Sequence, residues 1–159
     1  MPAGTRKYFL SFCDSRMFSS MQRIYFQAKN MNIYDIITVH NENNLDADFV
    51  KKFKNKIVFG SKGFGYWVWK PQIILQTFRY MEYGDILNYC DIGCWLNPKG
   101  KERLAEYFEL TEKSKNGLLV FSNKNTFNDP DLDTDNVSAP EYKYTKGDLF
   151  DYFSVRKFP

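Results

Sequence analysis

Apolar and polar positions along this chain alternate in two periods, and the alternation predicts strands and helices in turn. Tyr8–Cys13 (YFLSFC) is a short apolar run stopped by Asp14 and Ser15, which suits a buried strand followed by a helix cap. From Arg16 to Lys29, Met17, Met21, Ile24, Tyr25 and Ala28 recur every three or four residues and make a core-facing helical stripe. Gln22, Arg23 and Lys29 fall on the water-facing side, and Asn30–Asn32 ends the helix. Asp35–His40 carries Ile36, Ile37 and Val39, the β-branched density of a second buried strand, and Asn41–Asn44 is turn material.

A second helix is predicted over Leu45–Lys54 and a brief strand over Ile57–Phe59, ahead of the glycine-containing segment Gly60–Gly65 (GSKGFG). Pro71 is tolerated in a first helical turn, so a third helix starts near Trp67–Lys70 and runs to about Met81, burying Ile73, Ile74, Thr77, Phe78 and Met81. Tyr83–Asp85 closes it. Ile86–Cys90 is the next strand, and it delivers Asp91 at its carboxyl end. Lys99–Lys115 reads as a charged helix, Leu118–Phe121 as a strand, residues 122–144 as a long polar loop and residues 145–153 as a capped terminal helix. Strands and helices in this order indicate βαβ units: a single α/β, Rossmann-like domain with a mostly parallel central sheet flanked by helices. In such sheets ligands gather outside the carboxyl ends of the strands, where Asp14 and Asp91 both fall.

Composition narrows the function classes. A chain of 159 residues, 43% hydrophobic, closes one ordinary core and leaves little material for a second. Its 22 basic and 19 acidic residues leave a net charge of +3 with no basic arm or block, which argues against nucleic acid as a partner but suits a phosphorylated ligand. The aromatic content of 18% accompanies abundant Lys, Asn and Ile, all favoured by A/T-rich codons, so it is no argument for carbohydrate binding by itself. Cys13, Cys90 and Cys94 are odd in number and form no CxxC pair, and His40 is the only histidine; a disulfide framework and a structural zinc site are both disfavoured. Reduced thiols fit a cytoplasmic protein. No apolar run approaches the roughly 18 residues of a membrane span, so membrane association would be peripheral, through a surface patch, or would come from sequence beyond Pro159.

Two segments carry candidate chemistry. Tyr89–Asn97 (YCDIGCWLN) sets Asp91 directly after an apolar strand, with Gly93 two residues on, where a ligand can approach the backbone closely. Metal or ribose contact is one use of that pattern; an Asp capping a turn is the other. Gly63–Pro71 (GFGYWVWKP) brings two glycines, Trp67, Trp69 and Lys70 to the mouth of a helix, a setting that stacks a base and neutralises a diphosphate. Tryptophans so placed also serve as core or interface anchors, and a lysine there as a solvated helix-start residue. GSKGFG has the spacing of neither a P-loop nor a dinucleotide-binding fingerprint. The acidic run Asp129–Asp135 alternates carboxylates as a calcium loop does but lacks its glycine and its terminal glutamate, and reads as a solvated loop. His40 has no paired carboxylate in view and receives no role.

Taken together, Ser11–Arg16 (SFCDSR), Gly63–Ile74 (GFGYWVWKPQII), Gly84–Gly93 (GDILNYCDIG) and Tyr144–Phe150 (YTKGDLF) resemble a family of bacterial glycosyltransferases that build lipopolysaccharide or capsular polysaccharide on a GT-A-like fold. The resemblance implies transfer of a sugar from a nucleotide-sugar donor to a glycan or lipid-linked glycan acceptor, on a domain that lacks a C-terminal part of the family's length. It implies Asp91 as the motif and catalytic aspartate, and Phe12, Asp14, Trp67, Trp69, Lys70 and Gly93 as the lining of the donor site. The family's aspartate pair is Asp-x-Asp, and Gly93 stands where the second carboxylate would be. Charge compensation then falls to a divalent ion, Mn2+ or Mg2+, held by Asp91 with donor phosphates and water, or to Lys70. The alternative reading is a non-catalytic domain that binds nucleotide or glycan in cell-envelope assembly.

Overall fold

The computed structural model describes residues 4–121. The chain divides into two compact units at Leu119–Val120, and the architecture that follows is that of the first. Three parallel strands, β1 (Lys7–Phe12), β2 (Ile36–His40) and β3 (Ile86–Tyr89), lie in the order β2-β1-β3. Tyr8 pairs with Ile36 on one side and with Leu87 on the other, and Leu10 with Thr38 and Tyr89. The α/β, parallel-sheet expectation holds as a small open sheet flanked by helices.

Strand β1 is central and buried along almost its whole length, so its side chains feed two cores by the period-2 rule. Leu10 and Phe12 face one way and pack with Leu45, Phe64, Trp69 and Ile73. Phe9 faces the other way and packs with Ile24 and Ala28. The helices that carry these partners, α1 (Phe18–Met31) and α4 (Trp69–Phe78), therefore cover opposite faces of the sheet. Asn32 caps α1 in the left-handed conformation, φ 46°, as the Asn-rich stop predicts. The short α2 (Ala47–Phe53) and α5 (Lys101–Lys113) add to the layers, α5 through Phe108 packed edge-on against Tyr34.

Two predicted strands do not form among the described residues. At Ile57–Phe59 the chain turns back on itself: Ile57 plugs the core from a turn, while Val58 and Phe59 are exposed. No strand is assigned over Leu118–Phe121, and Leu118 is exposed. On α4, Gln76 is buried where Phe78 was expected, because its amide donates to the Asn44 carbonyl (2.8 Å) and its oxygen accepts from the Asp46 amide (3.0 Å), leaving Phe78 in solvent. The loop and helix expected over 122–153 lie outside the described residues. Among the described residues no helix is long and apolar enough to cross a membrane.

At the amino ends of the strands, Arg6 forks onto Asp85 (2.8 Å from Nη2 to Oδ2), joining the entries to β1 and β3. Asp85 also accepts from the backbone amides of Arg6 and Glu82. These contacts hold its carboxyl at about 2, with the Arg6 hydrogen bond the largest cause. These contacts tie the entries to β1 and β3 together.

Candidate functional site

The chain leaves β1 on one side to form β2 and returns on the other to form β3, so the strand order reverses between β1 and β3. A reversal of this kind opens a crevice at the carboxyl ends of the two strands. A cavity of about 230 Å³ lies there, walled by Phe12, Cys13 and Asp14 after β1, by Asp91, Ile92 and Gly93 after β3, and by Gly63, Phe64, Trp67 and Trp69. Six of the seven residues singled out from sequence line it: Phe12, Asp14, Trp67, Trp69, Asp91 and Gly93. The seventh, Lys70, adjoins it through an ion pair of 2.9 Å from Nζ to Asp91 Oδ1.

The segment from Gly63 to Trp67 has an unusual backbone. Gly63, Phe64, Gly65, Tyr66 and Trp67 all have positive φ, between 48° and 90°, so the turn α3 (Gly63–Tyr66) winds left-handed. For L-residues that hand costs about 1–2 kcal/mol each, or roughly 3–6 kcal/mol for Phe64, Tyr66 and Trp67 together. Such a conformation persists where the surroundings over-determine it. Here the Tyr66 and Trp67 amides donate to the Lys62 and Gly63 carbonyls, Phe64 is buried beside Phe12, and the Trp69 indole N–H donates to the Gly63 carbonyl at 2.9 Å. Glycine is required twice. A Cβ on Gly65 would lie 3.0 Å from the Lys56 carbonyl oxygen, and one on Gly63 would lie 2.5 Å from Trp67 Cε2.

This turn separates the two tryptophans. Trp69 is 5% exposed and stacked on Phe12, with ring centroids 4.0 Å apart, so it serves chiefly as the core anchor and offers the cavity only an edge. Trp67 is 46% exposed and lies across Gly63, free to stack on a ligand ring.

The two carboxylates also differ. Asp14 is buried, caps the turn Ser15–Met17 through the Arg16 amide, and receives the Arg16 guanidinium on both oxygens at 2.7 Å. The Arg16 hydrogen bonds, outweighing burial, hold its carboxyl below the usual range. Asp91 is more open. Burial pushes its carboxyl up, but hydrogen bonds from the Tyr89 hydroxyl and Lys70 outweigh that and leave it below the usual range, ionised at neutral pH. Tyr89 is correspondingly shifted upward, first by burial and then by its hydrogen bond to Asp91, so it remains a donor. Burial, with the neighbouring Asp14 and Glu42 charges, raises the Cys13 thiol to about 11, so the cavity contains no thiolate nucleophile at neutral pH.

Of the two carboxylates lining the cavity, Asp14 is held on both oxygens by Arg16, so a divalent ion would rely on Asp91, whose Oδ1 already accepts from both Lys70 and Tyr89. Among the described residues no group of three or more His, Cys, Asp or Glu side chains is placed to hold a metal. The protein's donor set at this position does not by itself fit a divalent ion.

One residue placed toward water by the helical pattern belongs to the site. Arg23, on α1, donates to the Ile92 carbonyl (2.6 Å) and the Cys94 carbonyl (2.7 Å), and its guanidinium lies 4.5 Å from the Trp95 ring centroid. Gln27, one turn on, accepts from Arg23 and from the Leu96 amide. Together they clamp the loop after Asp91 onto α1. Helical periodicity carries no signal for this, because the partners are main-chain carbonyls about seventy residues downstream. Compared with protein-family models, curated proteins and solved structures, the chain matches none.

Proposed function

We propose that the crevice between β1 and β3 binds a nucleotide-diphospho-sugar, and that the chain is a glycosyltransferase of GT-A type passing the sugar to a lipopolysaccharide or capsule glycan. The observation that supports this most is the convergence at the strand-order reversal of the exposed Trp67 indole, the ionised Asp91 and the open Gly93 backbone. An aromatic face stacks a base, a carboxylate orients hydroxyls of ribose or sugar, and a bare glycine admits a ligand to main-chain contact.

In that reaction the acceptor hydroxyl attacks the anomeric carbon and forms the new C–O bond as the bond to the donor phosphate breaks. The acceptor proton passes to a base, and the nucleoside diphosphate leaves with the bonding pair. The role of the site is to hold donor and acceptor in line and to stabilise charge on the departing phosphate. Donor supply places the reaction in the cytoplasm, at the inner face of the membrane when the acceptor is lipid-linked.

The test is transfer of labelled sugar from a panel of UDP, GDP, CMP and dTDP sugars into cell-envelope glycolipid, beside the Asp91→Asn variant. Incorporation from one donor, abolished in a variant with unchanged circular dichroism, supports the reading. The engagement of Asp91 by Lys70 favours one second reading, a domain that binds nucleotide or glycan without turnover. Donor binding with no incorporation from any sugar would establish that instead.

A further inference from the structure

Resting on the nucleotide-sugar reading, we propose that the Lys70 ammonium, held in place by Asp91 and Tyr89, is the counter-charge for the ligand's phosphates and stands where a divalent ion would serve in a site with two carboxylates. The residues that line the cavity include two acids, Asp14 and Asp91, and no Lys or Arg. Among the described residues, the cations paired with those acids are Arg16 and Lys70.

The two pairs differ in what they can release. Arg16 is committed to Asp14 in a fork on both oxygens, the strongest ion-pair geometry available to a carboxylate, and that carboxylate also caps a turn. Lys70 touches Asp91 through a single contact at 2.9 Å. Its ammonium has three N–H donors, so two remain for phosphate oxygens while the third stays on Asp91. The Tyr89 ring, 5.2 Å from Nζ, covers another side of the ammonium, and the Tyr89 hydroxyl fixes the Asp91 carboxylate that aims it. Asp91 is thus a positioning residue for the cation. A Cβ at Gly93 would have no atom within 4 Å, so the space that a second carboxylate would fill is open to the phosphate itself.

The experiment is calorimetric titration of UDP, GDP, CDP and dTDP into the purified chain, first in EDTA and then in Mn2+, for the wild type and for Lys70→Gln and Lys70→Arg. One nucleotide is expected to bind in EDTA, with about the same affinity in Mn2+. Lys70→Gln should weaken it by roughly tenfold to hundredfold in both buffers, the weight of a charge-assisted hydrogen bond, and Lys70→Arg should restore most of that loss. Binding that requires Mn2+, or an affinity unchanged in Lys70→Gln, overturns the role given to Lys70 while leaving the nucleotide reading intact. No binding of any nucleotide in either buffer overturns the nucleotide reading and this inference with it. Should a Lys70 variant fail to fold, wild-type binding that requires Mn2+ still overturns the inference.

Discussion

The Trp69 indole lies on the Phe12 ring, 4.0 Å between centroids and 24° from parallel, and so joins the first turn of α4 to the end of the central strand. Two residues earlier, Trp67 has the same side chain and the opposite placement. Truncation should separate them. Trp69→Ala is expected to cost about 3–5 kcal/mol of stability, the range for deleting a buried aromatic. Trp67→Ala should leave stability within about 1 kcal/mol and weaken ligand binding instead. Urea unfolding of both variants, beside nucleotide titration of Trp67→Ala, checks the pair.

Gly65 and Gly93 make a second contrast. Gly65 has φ 90° and sits against the Lys56 carbonyl, so Gly65→Ala has to strain the backbone and move a neighbour, at a cost of roughly 1–3 kcal/mol. Gly93 lies in open space without a positive φ, so Gly93→Asp should fold with unchanged stability. It also supplies the second carboxylate. The variant should gain stability from Mn2+, about 2.7 kcal/mol at one hundred times the dissociation constant, where the wild type gains none. Differential scanning calorimetry with and without Mn2+ reads both effects.

Arg23 should behave as a positioning residue. Arg23→Ala removes two charge-assisted bonds to loop carbonyls and a cation–π contact, all partly solvated, for a stability loss of about 1–2 kcal/mol. The local effect should exceed the global one. Hydrogen exchange is expected to speed at the amides of residues 92–96 while strand β1 keeps its protection.

The Arg6–Asp85 fork sets an acid limit. The folded carboxyl sits at about 2, below its ordinary unfolded value near 3.9, so its stabilising effect is complete above that unfolded value and is lost as the pH falls through the folded one. Melting temperature should therefore drop between about pH 4 and pH 2. In Asp85→Asn the baseline should be lower and the drop shallower, with Asp14 and Asp91, also depressed, contributing to what remains.

Much of this arrangement was legible in the sequence, and what escaped it shares a physical cause. The runs at Tyr8–Cys13, Asp35–His40 and Ile86–Cys90 predicted the three strands of the described residues, and their carboxyl ends brought Asp14 and Asp91 to one crevice. Ile57–Phe59 misled because an apolar triplet does not reveal whether a neighbouring strand is present to pair with it. The tryptophans could not be told apart by type or spacing; a five-residue left-handed turn assigns them, and Gly63 and Gly65 were its only trace. Arg23 and the Lys70–Asp91 pair are tertiary contacts between distant segments, which no local pattern encodes.

The most direct test of the nucleotide-sugar site is the indole N–H spectrum of the ¹⁵N-labelled protein as a nucleotide sugar is titrated in. The three tryptophans give separate reporters: Trp69 is locked to the Gly63 carbonyl, Trp95 lies against Arg23, and Trp67 borders the cavity. A saturable shift at Trp67 and at the Asp91–Gly93 amides, with little movement at Trp69, is the predicted result. Shifts confined to the separate groove lined by Thr38, His40 and Gln76, or no shift with any donor, would contradict the account.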